Sequence, residues 1–266
     1  WGVYAGLIGA PIRRMAVDVE GVLWCVNDGT ADHRPALNRI AASDAAPDVF
    51  ELTGQAAGRS INDLLPVGGG QWWLATSEGI LFFDGEWSAL DAPPGIPAVH
   101  ALGRRAGAGA IWAATDAGLY VLDATWTVLG VDDGLPSDSV RDVHVDQAGR
   151  LWAATPSGLA MDDGGWSAFP EPSITALAAD LRGGLWVGSE AGLARLDGDS
   201  RVTFTVEDGL AGDRVQAIHV AADGTVYVGS SGPQSGLAMG RDGAWESVTL
   251  PTGAGRVYSI TTDSRG

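Results

Sequence analysis

A repeat of about 41 residues constrains this 266-residue chain more than any other feature of its sequence. The stretch from Val140 reads V-R-D-V-H-V-D-Q-A-G-R-L-W-A-A-T-P-S-G-L, and the stretch from Ile174 reads I-T-A-L-A-A-D-L-R-G-G-L-W-V-G-S-E-A-G-L. A third copy, V-Q-A-I-H-V-A-A-D-G-T-V-Y-V-G-S, begins at Val215. In these copies an aromatic residue follows the opening β-branched residue by twelve positions. The pattern places repeat starts near positions 12, 61, 99, 140, 174, 215 and 257.

Each repeat predicts four short β-strands. The first strand reads V-x-x-I-x-x-D and leads into a D-x-x-G turn, where glycine supplies the positive φ and the Asp side chain caps the turn. The next three strands read L-W-A-A-T, G-L-A-x-x-D and W-S-x-F. Four strands in every 40 to 45 residues are typical of a propeller blade. A helical solenoid is not expected, because no segment repeats apolar residues at helical spacing.

The repeat count predicts an all-β fold: a seven-bladed β-propeller of four-stranded blades in a single domain over residues 1–266. The segment from Trp1 to Ile12 resembles a fourth strand and the loop after it, and the segment from Val257 to Gly266 resembles a first strand. An N-terminal outer strand is therefore expected to join the C-terminal blade and close the propeller. That last blade is incomplete by about sixteen residues, so the natural protein is expected to continue past Gly266.

Ten of the eleven Trp residues fall on two recurrent positions, where we expect them to pack between blades. Trp72 departs from this pattern. It directly precedes the recurrent Trp73, so strand alternation predicts that the two side chains face opposite ways. His144 and His219 occupy the same strand position in two repeats, which favours a framework role.

Composition excludes several classes of protein. The net charge of −17, with no Lys, argues against binding to nucleic acid or to an anionic membrane. The single cysteine, Cys25, excludes an intramolecular disulfide and a cysteine zinc site. No apolar run is long enough to cross a bilayer, so no transmembrane segment is expected. The four His residues lack paired metal-ligand spacing, and no catalytic motif is present. We therefore predict no enzymatic activity, no catalytic residue, no metal and no cofactor.

The position after each opening residue differs between repeats while the framework around it recurs. We predict that these side chains line the mouth of a central channel and bind a small polar or anionic ligand such as an oligosaccharide. A hydrated channel without a ligand fits the pattern equally well. The predicted ligand-binding residues are Arg13, Asn62, His100, Arg141, Thr175, Gln216 and Tyr258.

Two loops between second and third strands are longer than their equivalents. The first repeat extends over residues 27–35, and the sixth extends around residues 230–235. Loops elaborated on a rigid scaffold often carry recognition, although such insertions are also tolerated without a function. The predicted rim-loop residues are Asp28, Asp32, His33, Arg34 and Gln234.

The run from Asp133 to Leu159 closely resembles the two-component regulator propeller repeat, and weaker copies cover 174–193 and 208–237. The first repeat departs from the family pattern, because C-V-N-D-G-T follows Trp24. The resemblance implies a bacterial propeller that is exported to the periplasm, the cell surface or the medium. Members include extracytoplasmic sensor regions of histidine kinases, among them hybrid regulators that detect oligosaccharides.

Three functional hypotheses follow from the sequence and this resemblance. The first is a non-enzymatic propeller that recognises a ligand or a protein partner, as the sensor module of a signalling protein. The second is a structural propeller in a surface assembly. The third is a metal-dependent enzyme of the streptogramin-lyase type, with His100 as the base and Asp28 or Asp32 as a metal ligand.

Overall fold

The structure is a computed structural model that describes residues 12–18, 20–27, 35–40, 47–90, 95–104, 110–146, 148–169, 173–197, 200–231, 235–241, 243–248, 257 and 259–261. The described residues form two compact units. The N-terminal unit runs to Leu102 and includes Thr261, and the C-terminal unit runs from Gly103 to Ile260. The boundary falls within the first strand of the third sheet.

Twenty-four strands in the described part of the chain form six four-stranded sheets, which we number as blades 1 to 6. In every sheet the strands lie side by side in chain order. Blades 1 and 2 comprise β1 (Ile12–Val17), β2 (Leu23–Asn27), β3 (Ala36–Ile40), β4 (Asp48–Glu51), β5 (Ile61–Gly68), β6 (Gln71–Thr76), β7 (Gly79–Phe83) and β8 (Trp87–Ala89).

The other four blades begin near the predicted positions 99, 140, 174 and 215. Blades 3 and 4 comprise β9 (Val99–Arg104), β10 (Ile111–Thr115), β11 (Gly118–Leu122), β12 (Trp126–Leu129), β13 (Asp142–Val145), β14 (Leu151–Thr155), β15 (Gly158–Asp162) and β16 (Trp166–Phe169). Blades 5 and 6 comprise β17 (Ile174–Ala179), β18 (Leu185–Ser189), β19 (Gly192–Asp197), β20 (Ser200–Phe204), β21 (Arg214–Val220), β22 (Val226–Ser231), β23 (Gly236–Arg241) and β24 (Ala244–Val248).

The expectation of seven blades is wrong, because the described residues form six. The seventh repeat start, Val257, belongs to no strand, and neither do residues 259–261. Val257 nevertheless packs on blade 6, since a Cβ built on Gly229 would lie 2.8 Å from its Cβ. Val215 packs in the same way on Gly188 of blade 5. The repeat therefore marks a packing position correctly, but packing alone does not supply the partner strands of a sheet. Residues 1–11, predicted to hold the closing outer strand, lie outside the described residues.

The turns explain why the sequence repeats its small polar residues. Between β14 and β15, Thr155 Oγ1 donates to the Gly158 carbonyl at 2.7 Å and accepts from the Ser157 amide at 3.2 Å. Gly158 has φ +151°, and a Cβ there would lie 2.6 Å from the Phe169 carbonyl oxygen. Only glycine fits that close approach without displacing the backbone. Thr76 and Thr115 form the same turn in blades 2 and 3.

The D-x-x-G turns between first and second strands are capped by their Asp side chains, as predicted. Asp146 Oδ1 accepts from the Ala148 amide at 2.9 Å and from the Arg150 amide at 3.0 Å. Gly149 follows with φ +78°. Because Asp146 is buried, these bonds satisfy a carboxylate that would otherwise be costly to desolvate.

Aromatic residues fill the cores between blades. In the N-terminal unit, Trp24 of blade 1 lies 5.3 Å from Trp72 of blade 2, measured between ring centroids. Trp72 is 0% exposed while the adjacent Trp73 is half-buried, as expected from strand alternation. In the C-terminal unit, Trp186 of blade 5 lies 5.8 Å from Trp245 of blade 6. The recurrent Trp24, Trp186 and Trp245 therefore pack between neighbouring sheets, whereas in blade 2 Trp72 takes that place and the recurrent Trp73 lies against Phe82 of its own blade.

The connection that leaves each of three blades rests on the outer strand of the next. A Cβ on Gly134 would lie 3.0 Å from Trp166 Cβ in β16, and one on Gly209 would lie 2.7 Å from the Trp245 carbonyl oxygen in β24. In the N-terminal unit, Gln55 Oε1 accepts from the Ala89 amide of β8 at 2.6 Å. These contacts cover part of an edge strand that would otherwise present unpaired backbone groups.

Candidate functional site

The pairing register shifts at the start of four first strands, at the predicted ligand-binding position. In blades 1, 2, 5 and 6 one residue is skipped when the first strand pairs with the second. An irregularity of this bulge type frees one residue from the ladder and re-aims its side chain. The residues in the skipped positions are Arg13, Asn62, Thr175 and Gln216.

In the N-terminal unit the bulge side chain of blade 2 bonds to the next first strand. Asn62 Nδ2 donates to the Val99 carbonyl at 2.8 Å. The Asn62 carbonyl in turn accepts from Arg14 Nε of blade 1. Of the other predicted residues in this unit, Arg13 is exposed and His100 is half-buried. One predicted ligand residue, Asn62, is thus part of the link between blades.

In the C-terminal unit two of the predicted residues converge on one carbonyl. Thr175 Oγ1 donates to the Val215 carbonyl at 2.6 Å, and Gln216 Nε2 donates to the same oxygen at 3.2 Å. The Thr175 hydroxyl and the Gln216 Oε1 atom each retain capacity to accept a hydrogen bond. Thr175 therefore connects blades 5 and 6, Gln216 bonds within its own strand, and both side chains still offer acceptors.

Of the predicted ligand-binding residues in the C-terminal unit that the structure describes, Arg141 is the exposed one. Its backbone amide donates to the Ala154 carbonyl at 2.8 Å, which holds the start of blade 4 against β14. Within the part of the chain that the structure describes, its guanidinium forms no ion pair with a carboxylate. Arg141 thus offers up to five N–H donors in a planar arrangement suited to an anionic group.

The remaining predicted residues are not placed. Tyr258 and the rim-loop residues Asp28, Asp32, His33, Arg34 and Gln234 lie outside the described residues. The predicted set is also split, with Arg13, Asn62 and His100 in the N-terminal unit and Arg141, Thr175 and Gln216 in the C-terminal unit. A common ligand ring remains a prediction.

Sequence reasoning missed a second set of polar residues on the first strands. Asp63 Oδ2 accepts from the Leu102 amide at 3.0 Å, and Asp142 Oδ2 accepts from the Leu177 amide at 2.9 Å. Both Asp residues stand one position after a predicted ligand residue. The sequence feature that could have revealed them is an Asp at the same repeat position in two blades. Both carboxylates link neighbouring first strands.

Burial changes the acidity of several of these groups. Desolvation raises the pKa of Asp63, and the charge of Arg14 together with backbone hydrogen bonds acts against that rise. Desolvation lowers the pKa of His144, although the nearby charge of Asp146 acts the other way. His219 has a lowered pKa for the same reason, desolvation. Both imidazoles are therefore neutral at neutral pH.

The described residues contain no group of three or more His, Cys, Asp or Glu side chains that could hold a metal ion. The metal ligands of the lyase hypothesis, Asp28 and Asp32, lie outside that part of the chain. No described helix is long and apolar enough to span a bilayer.

The family model of the two component regulator propeller matches residues 134–157. The matched stretch begins at Gly134, which has φ +108°, and includes the buried Leu135. It also includes Asp138, whose Oδ1 accepts from the Val131 amide at 2.9 Å. The stretch ends in the turn after Thr155. The predicted resemblance is confirmed, and Gly134, Leu135 and Asp138 of the matched stretch each have a structural role. A search of curated proteins finds no match.

Solved structures share the fold at low sequence identity. The extracellular domain of one hybrid two component system from B. thetaiotaomicron superposes with a TM-score of 0.79 at 14% identity, over 99% of this chain and 37% of that chain. A second such domain from the same organism gives a TM-score of 0.74 at 16% identity, over 95% of this chain and 37% of that chain. This chain thus spans little more than a third of either relative. A streptogramin B lyase gives a TM-score of 0.77 at 15% identity, over 96% of this chain and 88% of that chain.

These similarities establish the architecture, because proteins of such low identity share a fold without necessarily sharing a function. Together with the family match, they identify the chain as a β-propeller, six-bladed in its described part, that carries the two component regulator propeller repeat.

Proposed function

We propose that this chain is a non-enzymatic recognition propeller that works as the extracytoplasmic sensor module of a bacterial signalling protein. The similarity to extracellular domains of hybrid two component systems supports this assignment. Export to the periplasm, the cell surface or the medium is part of the same proposal. The net charge of −17 argues against nucleic acid as the partner.

The ligand that we propose is small, anionic and rich in hydroxyl groups, such as an acidic oligosaccharide. The observation that carries this choice is the exposed Arg141 guanidinium, which has no carboxylate partner among the described residues. Thr175 and Gln216 follow at the equivalent positions of blades 5 and 6, and each offers an acceptor to a ligand hydroxyl. Arginine recognises carboxylates and phosphates with paired N–H donors.

The test is a binding measurement on the chain with neutral and acidic oligosaccharides of matched length. We expect the acidic members to raise Tm and to bind in calorimetry. Arg141→Ala should weaken that binding about tenfold or more, since a charge-assisted hydrogen bond contributes about 1.5–3 kcal/mol. Arg201→Ala, which removes an exposed arginine from the outer strand β20, is the control and should bind as the wild type does.

Two results would overturn the ligand proposal. One is equal binding of neutral and acidic oligosaccharides with no effect of Arg141→Ala. The other is a chain that binds none of the oligosaccharides and instead binds a protein partner or assembles on a surface, as the alternative hypotheses predict.

The similarity to a streptogramin B lyase favours a second candidate, a metal-dependent lyase with His100 as its base. This candidate requires cleavage of a streptogramin B antibiotic, metal retained in stoichiometric amount after dialysis, and loss of the cleavage in His100→Ala. Absence of cleavage across a series of added divalent metals would exclude it.

A further inference from the structure

Two side chains of β13 accept hydrogen bonds from the backbone of β17 in the next blade. Asp142 Oδ2 accepts from the Leu177 amide at 2.9 Å, and His144 Nε2 accepts from the Ala179 amide at 3.0 Å. The two acceptors are alternate residues of one strand, and the two donors are alternate residues of the other. These side chains take the place of a backbone ladder where blade 4 meets blade 5.

The bond from Ala179 fixes the protonation of His144. An imidazole nitrogen accepts a hydrogen bond only when it carries no proton, so the neutral ring holds its proton on Nδ1. A second proton would enter at Nε2 and would face the Ala179 N–H. Two donors would then oppose each other at a half-buried position.

The charged groups near His144 are largely engaged with one another. On its own strand and turn these groups are Asp142 and Asp146. Arg150, which precedes β14, binds Asp146 Oδ2 through Nε at 2.7 Å.

On the side of blade 5, Asp180 follows β17 and accepts from Arg195 Nε at 2.5 Å. Three strands pack against β13, namely β10, β14 and β17, and none of them contains a titratable side chain. Desolvation of the His144 ring therefore prevails over the charge of Asp146 and lowers its pKa.

We propose that the contact between blades 4 and 5 is acid-sensitive, because uptake of one proton by His144 abolishes its bond to the Ala179 amide. The bond from the Leu177 amide to Asp142 then has to hold β13 to β17 without its companion at Ala179. Thr175 lies on the same strand as Ala179 and donates to the Val215 carbonyl of blade 6. β17, which loses the bond at Ala179, thus carries one of the predicted ligand residues, so acid changes the surroundings of that residue. This inference holds whether or not the proposed ligand binds.

The test is NMR of the full chain between pH 7.5 and 4.5. Imidazole ¹⁵N shifts of the wild type should show Nε2 unprotonated at pH 7.5. The Ala179 amide resonance should titrate together with the His144 ring, at a midpoint below the ordinary histidine value of 6.5. In His144→Gln, where an amide oxygen can accept without titrating, the Ala179 resonance should lose that titration. His219→Gln, the equivalent change in blade 6, should leave it intact.

A proton on Nε2 at pH 7.5 would overturn the proposal. So would an Ala179 titration that is unchanged in His144→Gln. The tautomer measurement needs no variant, so it decides the question even if the substituted chain fails to fold.

Discussion

The indole nitrogen of Trp152 donates to Oδ2 of Asp146 at 2.9 Å, and the two residues are six positions apart. Blade 1 has the same arrangement, in which Trp24 Nε1 donates to Asp18 Oδ2 at 2.8 Å. The Asp that caps the first turn of the blade thus also satisfies the buried indole of the second strand. One carboxylate fixes the turn and the core aromatic together.

Replacing Asp146 with Ala should therefore destabilise the chain substantially. The change leaves the buried Trp152 N–H without an acceptor and removes the caps of the Ala148 and Arg150 amides. We expect a loss of about 2–4 kcal/mol in the free energy of unfolding, measured by urea denaturation. Asp163→Ala, at an exposed turn of the same blade, should stay within about 0.5 kcal/mol of the wild type. Equal losses in the two variants would contradict this role of Asp146.

In blade 5 the corresponding carboxylate, Asp180, bonds to an arginine of the third strand and not to the indole of the second strand. Asp180 Oδ2 accepts from Arg195 Nε at 2.5 Å, and Trp186 Nε1 has no partner among the described residues. The residue paired with Trp152 across blade 4 is Met161, whereas Arg195 is paired with Trp186.

Arg195→Met should consequently let the Trp186 indole bond to Asp180. The indole ¹H–¹⁵N resonance should move downfield and become protected from exchange with solvent. We expect a smaller loss of stability than in Asp180→Ala, because the variant exchanges one bond to the carboxylate for another. An indole signal that keeps its wild-type position would show that Arg195 does not compete for Asp180.

Stability should fall as pH falls below the ordinary histidine pKa of 6.5. The pKa values of His144 and His219 are lowered in the folded chain, so the unfolded chain takes up these protons first. Each residue contributes at most about 1.4 kcal/mol per pH unit in the window between its unfolded and folded pKa. Urea denaturation at pH 7.5, 6.0 and 5.0 should show this loss in the wild type and a smaller one in the double variant His144→Gln/His219→Gln. Identical pH profiles would rule out the two histidines as its source.

The carboxylates of Asp146 and Asp63 contribute to the pH dependence of stability with opposite signs. Desolvation acts to raise the pKa of Asp146, but the hydrogen bonds donated by Trp152 and Arg150, together with the charge of Arg150, outweigh it and lower that pKa. Its stabilisation is present above the ordinary value of 3.8 and is lost as pH falls through the folded pKa. The pKa of Asp63 is raised by desolvation, so folding binds a proton there, and stability falls as pH rises through that interval.

Gly158→Ala should cost more than Gly164→Ala, although both glycines have positive φ. Gly158 has φ +151°, and a Cβ there would meet the Phe169 carbonyl oxygen at 2.6 Å. Gly164 has φ +114°, with nothing within 4 Å of a Cβ. Positive φ strains an alanine at either position by about 1–3 kcal/mol, so a larger loss in Gly158→Ala indicates an additional steric clash. Urea denaturation of both variants gives this difference, and equal losses would show that the turn relaxes around the methyl group.

Much of the fold could be predicted from sequence because the repeat acts locally. The D-x-x-G turns and the four strands of a blade follow from residue spacing, and the opposite orientations of Trp72 and Trp73 follow from strand alternation. The seventh blade was predicted wrongly, because similarity to a first strand at Val257 does not show that partner strands pair with it. Val257 packs against Gly229, which explains why the repeat pattern in the sequence extends to Val257.

The candidate site was less predictable, because its hydrogen bonds depend on how neighbouring blades lie together. Arg141 and Asn62 occupy equivalent positions in the repeat, yet one is exposed and the other donates to the Val99 carbonyl. The role of His144 depends on the Ala179 amide, 35 residues later. A local sequence pattern does not indicate a hydrogen bond between residues so far apart in the chain.

The connections that rest on the following blade have a consequence for how the chain is made. Gly134 is synthesised 32 residues before Trp166, on which it packs, and Gly209 precedes Trp245 by 36 residues. On the ribosome, each of these connections emerges before the strand that supports it. A blade therefore completes its contacts only after its successor has been translated, and a nascent chain that stalls between two blades exposes the unfinished one to proteases and chaperones.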